Sequence, residues 1–77
     1  MFLRNETISN NDRINFSTLI NRGVNIKIII FDDPNDNSEY PVYLATLNGK
    51  TCHFHYRHTN DANLQYTISE VWRFLNS

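Results

Sequence analysis

Apolar and polar positions alternate along Tyr40–Leu47 and again along Lys50–Tyr56, and the two runs meet at Asn48-Gly49. A period of two marks a half-buried strand. Asn-Gly accepts positive φ at both central positions of a turn, so the chain predicts a two-residue type I′ hairpin here. Counting outward from the turn sets the register: Leu47 faces Lys50, Ala45 faces Cys52, Tyr43 faces Phe54 and Pro41 faces Tyr56. Tyr43, Ala45, Leu47, Cys52, Phe54 and Tyr56 then share the core side. Val42, Leu44, Thr46, Thr51, His53, His55 and Arg57 share the reverse.

Val24–Phe31, rich in isoleucine and bounded by Gly23 and Asp32-Asp33-Pro34, predicts a further strand. Both of its sides are partly apolar, which suits a central strand in a sheet covered on both faces. Before it, Ser9-Asn10-Asn11-Asp12 offers a helix start, Phe16, Leu19 and Ile20 form an apolar stripe, and Gly23 supplies a stop. Asp32–Glu39 reads as a polar, turn-rich loop. Near the other end, Thr67-Ile68-Ser69-Glu70 has the form of a capping box. The helix it would open carries Ile68, Val71, Trp72 and Leu75 on one face, and Leu64-Gln65-Tyr66 is either a short strand or an extension of that helix. Residues 1–9 are expected to be irregular, although Met1-Phe2-Leu3 could add an edge strand. The expectation is therefore a single α+β domain over residues 1–77: a small three- to four-stranded antiparallel sheet with an N-terminal and a C-terminal helix, in the order α-β-β-β-α. The C-terminal helix packs on the Tyr43/Phe54 side and the N-terminal helix covers part of the opposite face. Ile29, Phe31, Val42 and Leu44 lie on that opposite face, too many for one short helix to bury, so a homodimer or a partner is expected to take it.

Composition narrows the function classes. A chain of 77 residues buries only about 60% of its unfolded surface, so its core is marginal and a partner would help it. Its one cysteine, Cys52, has no internal disulfide partner, and there is neither a signal-peptide core nor a membrane-length apolar run. A cytoplasmic location is expected, that of a host cell if the gene belongs to a phage. Abundant Asn and Ile with only 2 Gly and 2 Pro suit an AT-rich coding sequence, as in phages and mobile elements. The net charge of −1 makes direct nucleic-acid binding the less favoured mode, because phosphate binders carry a basic field. Asp32, Asp33, Asp36 and Glu39 instead form an acidic stretch suited to a basic partner surface.

Motif chemistry is sparse. His53-x-His55-x-x-His58 sits beside Cys52, but on a strand Cys52 points away from the histidines and no acid is placed to complete a metal site, so no metal is assigned. Asp33-x-Asn35-x-Asn37 starts like a calcium loop, yet Ser38 and Leu44 stand where the loop needs Gly and a bidentate acid. No Gly-rich phosphate loop and no nucleophile elbow exists, so neither catalytic residues nor a cofactor are expected. In element order the chain is similar to the double-stranded-RNA-binding domain, and its hairpin-then-helix resembles the arm-binding domains of phage integrases. The first family has a basic start to its last helix where this chain has Thr67-Ile68-Ser69-Glu70. The second places Lys and Arg on the exposed sheet face, where this chain has Lys27, His53, His55 and Arg57. Neither resemblance transfers a functional residue.

The sequence thus predicts a small non-catalytic binding module: a phage or mobile-element inhibitor of a host protein such as a nucleic-acid-targeting defence or restriction complex. Its partner would meet Asp32, Asp33, Asp36, Glu39, Val42, Leu44, His53, His55 and Arg57. The alternative is a nucleic-acid-binding accessory domain that reads through His53, His55 and Arg57.

Overall fold

The strands form a meander. A computed structural model describes residues 2–36, 38–57 and 59–77. It contains β1 (Phe2–Glu6), α1 (Asn10–Asn15), α2 (Ser17–Asn21), β2 (Asn25–Asp33), β3 (Ser38–Leu47), β4 (Lys50–Phe54) and α3 (Asp61–Leu75). The four strands pair antiparallel in the order β1-β2-β3-β4. Asn48 and Gly49 take φ of 52° and 83° at the hairpin tip, as the turn requires. The register is the expected one from Leu47↔Lys50 through Ala45↔Cys52 to Tyr43↔Phe54. Beyond Phe54 the expectation fails: β4 ends there, Pro41 pairs only with Ile30 of β2, and Tyr56, His55 and Arg57 follow in irregular chain.

The N-terminal segment corrects the sequence reading in three respects. Residues 2–6, expected irregular with an edge strand from Met1-Phe2-Leu3 as the alternative, form the edge strand β1, with Leu3 opposite Phe31 and Arg4 opposite Ile30. The single predicted helix is two short ones broken at Phe16, although the expected start holds, with Ser9 as its cap: the Ser9 hydroxyl accepts from the Asp12 N–H at 3.1 Å. Most consequentially, the helices do not divide between the two sheet faces. Phe16 and Leu19 are fully buried in one cluster with Val24, Ile26, Tyr43, Ala45 and Cys52 from the sheet and Leu64, Ile68, Val71 and Leu75 from α3. All three helices therefore lie on the same face. The apolar stripe drives this result, because two helices too short to be stable alone fold only by burying Phe16 and Leu19 against a core already present. Strand β2 is central as predicted, but in a sheet covered on one face only.

Two further boundaries move. The ladder runs through Asp32↔Glu39 to Asp33↔Ser38, so the expected Asp32–Glu39 loop shrinks to a turn around Pro34–Asp36. Helix α3 begins two turns before the predicted capping box: the Asn60 side chain accepts from the Asn63 N–H at 2.8 Å, and Thr67 Oγ1 donates back to the Asn63 carbonyl at 3.0 Å in mid-helix. Leu64-Gln65-Tyr66 is accordingly helix. The apolar face is Leu64, Ile68, Val71 and Leu75, while Trp72 sits at the margin with the Arg22 guanidinium 4.6 Å from its ring centroid.

The core is built on aromatic contact. The Phe16 ring meets Tyr43, Phe54 and Tyr56 at centroid separations of 6.0, 5.8 and 5.0 Å, and Tyr43 stacks on Phe54 at 5.3 Å. Such pairs add to the area they bury. The Tyr43 hydroxyl donates to Asp12 Oδ2 at 2.7 Å, fastening α1 to the sheet. Burial, with the Asp12 carboxylate beside it, holds this phenol well above its ordinary value near 10.

Candidate functional site

With every helix on one side, the other sheet face carries no helix among the described residues. Side chains of antiparallel partners project to the same side, so the register orders this open face into cross-strand rows. Next to the Asp33–Ser38 pair at the β2–β3 turn, Leu3, Phe31 and Tyr40 form the first apolar row, followed by Asn5, Ile29 and Val42. Lys27, Leu44 and His53 come next, and Asn25, Thr46 and Thr51 close the face at the hairpin end. The first two rows are the apolar part. Leu3 is 60% and Tyr40 47% exposed, and Ile29, Phe31 and Val42 are half-buried. Leu44 is only 6% exposed although no helix lies over it, because Lys27 and His53 flank it in its own row.

The four acids do not act as one loop. Asp32 and Glu39 belong to the helix face, where Arg4 reaches them with Nε–Oδ2 at 3.5 Å and Nη2–Oε1 at 2.8 Å, and Glu6 with Nη1–Oε1 at 3.7 Å. These groups are exposed, so each pair contributes at most about 1 kcal/mol. Their consequence is that the single Arg4 guanidinium offsets part of the charge of two of the predicted contact acids, on the face turned away from the open one. Asp33 lies on the open face, its Oδ1 accepting from the Asn35 N–H at 2.9 Å, and Asp36 accepts from the Tyr40 hydroxyl at 3.2 Å. Both carboxylates thus rim the apolar rows.

The predicted basic surface is also divided. His53 stands on the open face beside Leu44. His55 and Arg57 are exposed but follow the end of β4, where Asn63 Nδ2 donates to the Arg57 carbonyl at 3.1 Å. His58, the third member of the histidine cluster, lies outside the described residues, and among the described residues no group of three His, Cys, Asp or Glu is placed to hold a metal ion. Cys52 is a free, buried thiol on the core side, as expected, and burial pushes its pKa up. That shift disfavours the thiolate a nucleophile would need. No helix among the described residues is long and apolar enough to cross a membrane.

Leu3 and Tyr40 are members of this surface that sequence reasoning did not assign to the contact. Tyr40 opens the run expected to be strand, and its alternation with Val42 and Leu44 is the signal that places it here, whereas Leu3 needs β1 to be recognised, for which the signal is a weak alternation in Phe2-Leu3-Arg4-Asn5-Glu6. No family model matches the chain, and no curated protein or solved structure matches it either.

Proposed function

We propose that this chain is a non-catalytic binding module that docks a partner protein on its open sheet face. The observation that supports this reading is the gathering of all three helices on one side, which leaves Leu3, Ile29, Phe31, Tyr40 and Val42 contiguous and without a covering helix. A contiguous apolar patch on a small protein is costly in water and usually marks an interface. Asp33 and Asp36 at its rim suit a partner that surrounds an apolar patch with basic residues, as a nucleic-acid-binding protein does beside its groove. In its narrower form the module is a phage or mobile-element inhibitor of such a host protein.

The test is a differential capture from a bacterial lysate, followed by mass spectrometry. The native chain and a Leu3→Asp, Tyr40→Ser variant serve as baits, both substitutions falling at exposed positions that leave the core untouched. The expected result is a protein retained by the native chain and lost by the variant. Equal recovery on both baits, recovery of nucleic acid in place of protein, or a second copy of the chain as the sole species retained would each refute the reading.

A further inference from the structure

The outer edge of β4 and the flank of α3 together form a second site, distinct from the open face. A two-residue hairpin makes Leu47 and Lys50 a hydrogen-bonded pair, and such pairs alternate along an antiparallel ladder. Ala45/Cys52 and Tyr43/Phe54 are therefore also hydrogen-bonded pairs, and Thr51 and His53 turn their N–H and C=O groups away from β3. Beyond β4 the sheet has no further strand among the described residues. Among the described residues the Cys52 thiol approaches one of these outward groups, 4.0 Å from the His53 carbonyl oxygen, a long and weak sulfur contact.

Beside this edge the helix presents a stripe of its own. Tyr66, Glu70 and Phe74 follow at intervals of four residues, so they lie on one line along α3. They flank the buried line of Leu64, Ile68, Val71 and Leu75. Tyr66 is 66% and Phe74 48% exposed, an unusual placement for two aromatic rings within three turns of helix. Between stripe and strand runs a groove of about 340 Å³ whose walls include Cys52 and Phe54 from β4, and Tyr66, Glu70, Val71 and Phe74 from α3. Glu70 is the one carboxylate in the lining, which also includes His53 and His55 and holds neither Lys nor Arg. Its only ion pair among the described residues is a 3.6 Å contact to Arg73, itself 80% exposed, which competes weakly with an incoming cation.

We propose that this groove binds an extended peptide segment of another protein as a fifth strand on β4, with a lysine or arginine of that segment directed at Glu70. The backbone of the segment would pair with the outward groups of Thr51 and His53. Alternate side chains would enter the groove, where an apolar stem lies along Val71 and a cationic head meets Glu70 between the rings of Tyr66 and Phe74. Strand addition beside a helix uses this division of labour: main-chain hydrogen bonds supply affinity and the groove supplies selectivity. The rings reinforce the preference for a cation, as the Lys50 ammonium 5.1 Å from the Phe74 centroid already illustrates.

A display library of random decapeptides, panned against the native chain and against exposed-surface variants Glu70→Lys and Phe74→Ser, tests the proposal. Native selection should enrich sequences with β-branched residues at alternate positions and one Lys or Arg in the same alternate series. The synthetic form of the most enriched peptide should slow amide exchange at Thr51 and His53, and should lose about tenfold in affinity with either variant, equivalent to 1.4 kcal/mol. It should bind the Leu3→Asp, Tyr40→Ser variant as well as it binds the native chain, which separates this site from the open face. Enrichment of no sequence, of acidic sequences, or of peptides that ignore both α3 substitutions would overturn it.

Discussion

Phe16→Ala should unfold the protein or bring it close to unfolding, whereas Ile14→Ala, two residues away, should leave stability almost unchanged. Phe16 is fully buried and its ring touches three others, while Ile14 is 69% exposed. Deleting a buried phenylalanine side chain costs about 3–5 kcal/mol through lost transfer energy and the cavity left behind. A domain of this size has little more than that in total. The loss is not confined to packing, because α1 and α2 reach the sheet chiefly through Phe16 and Leu19 and are too short to persist alone. Chemical denaturation followed by circular dichroism compares the two variants. Similar midpoints for both would mean that the N-terminal helices are not packed in the core.

The largest effect on binding is expected at Val42. In the second apolar row Val42 lies between Ile29 on β2 and the unladdered part of the chain beyond Phe54, near the middle of the open face. Val42→Lys would place an ammonium group there without disturbing the helix side. Desolvating it against an apolar partner surface should weaken the complex by about 100-fold, or 2.7 kcal/mol. Replacing Asp33 and Asp36 by Asn should have a smaller effect, felt mainly in the association rate and at low salt, since rim charges steer encounter more than they hold the complex. Replacing Asp32 and Glu39 should matter least, because Arg4 holds both on the helix face. Titration calorimetry against the captured partner gives this ranking directly. If the acids outrank Val42, the partner meets the turn and not the sheet.

The parts of the fold that were legible in the sequence are those fixed by local rules. Asn48-Gly49 dictates both turn type and register, and with them the side on which Tyr43, Ala45 and Cys52 are buried. Gly23 ends α2 with a φ of 93°, the left-handed conformation that favours glycine at such a position. The misreadings arise where a local signal competed with a tertiary one. Thr67-Ile68-Ser69-Glu70 has the residues of a capping box, but Asn60 caps one helix that runs through it, since starting there buries Leu64 as well. The pattern of Phe16, Leu19 and Ile20 shows an apolar stripe without showing which sheet face it joins. That choice depends on aromatic partners far along the chain, Phe54 and Tyr56 among them. The same distance effect governs the candidate site. Val42, Leu44 and His53 were visible as one side of a hairpin, whereas Leu3 joins them only through pairing of β1 with β2 across more than twenty residues. Asp32 and Asp33 are adjacent in sequence and project to opposite faces, so a cluster in the sequence is not one on the surface.

Thiol footprinting of Val42→Cys, in a Cys52→Ser background, tests most directly whether the open face is both uncovered and used. In the dilute free protein a maleimide should react at the rate of a partly exposed thiol, because Val42 is half-buried by its strand neighbours and no helix covers that row. With the captured partner at saturation the rate should fall at least tenfold, while a Ser17→Cys control on the exposed side of α2 keeps its rate. A Val42→Cys thiol already protected in the free monomer, or one as reactive in the complex as alone, would contradict the account.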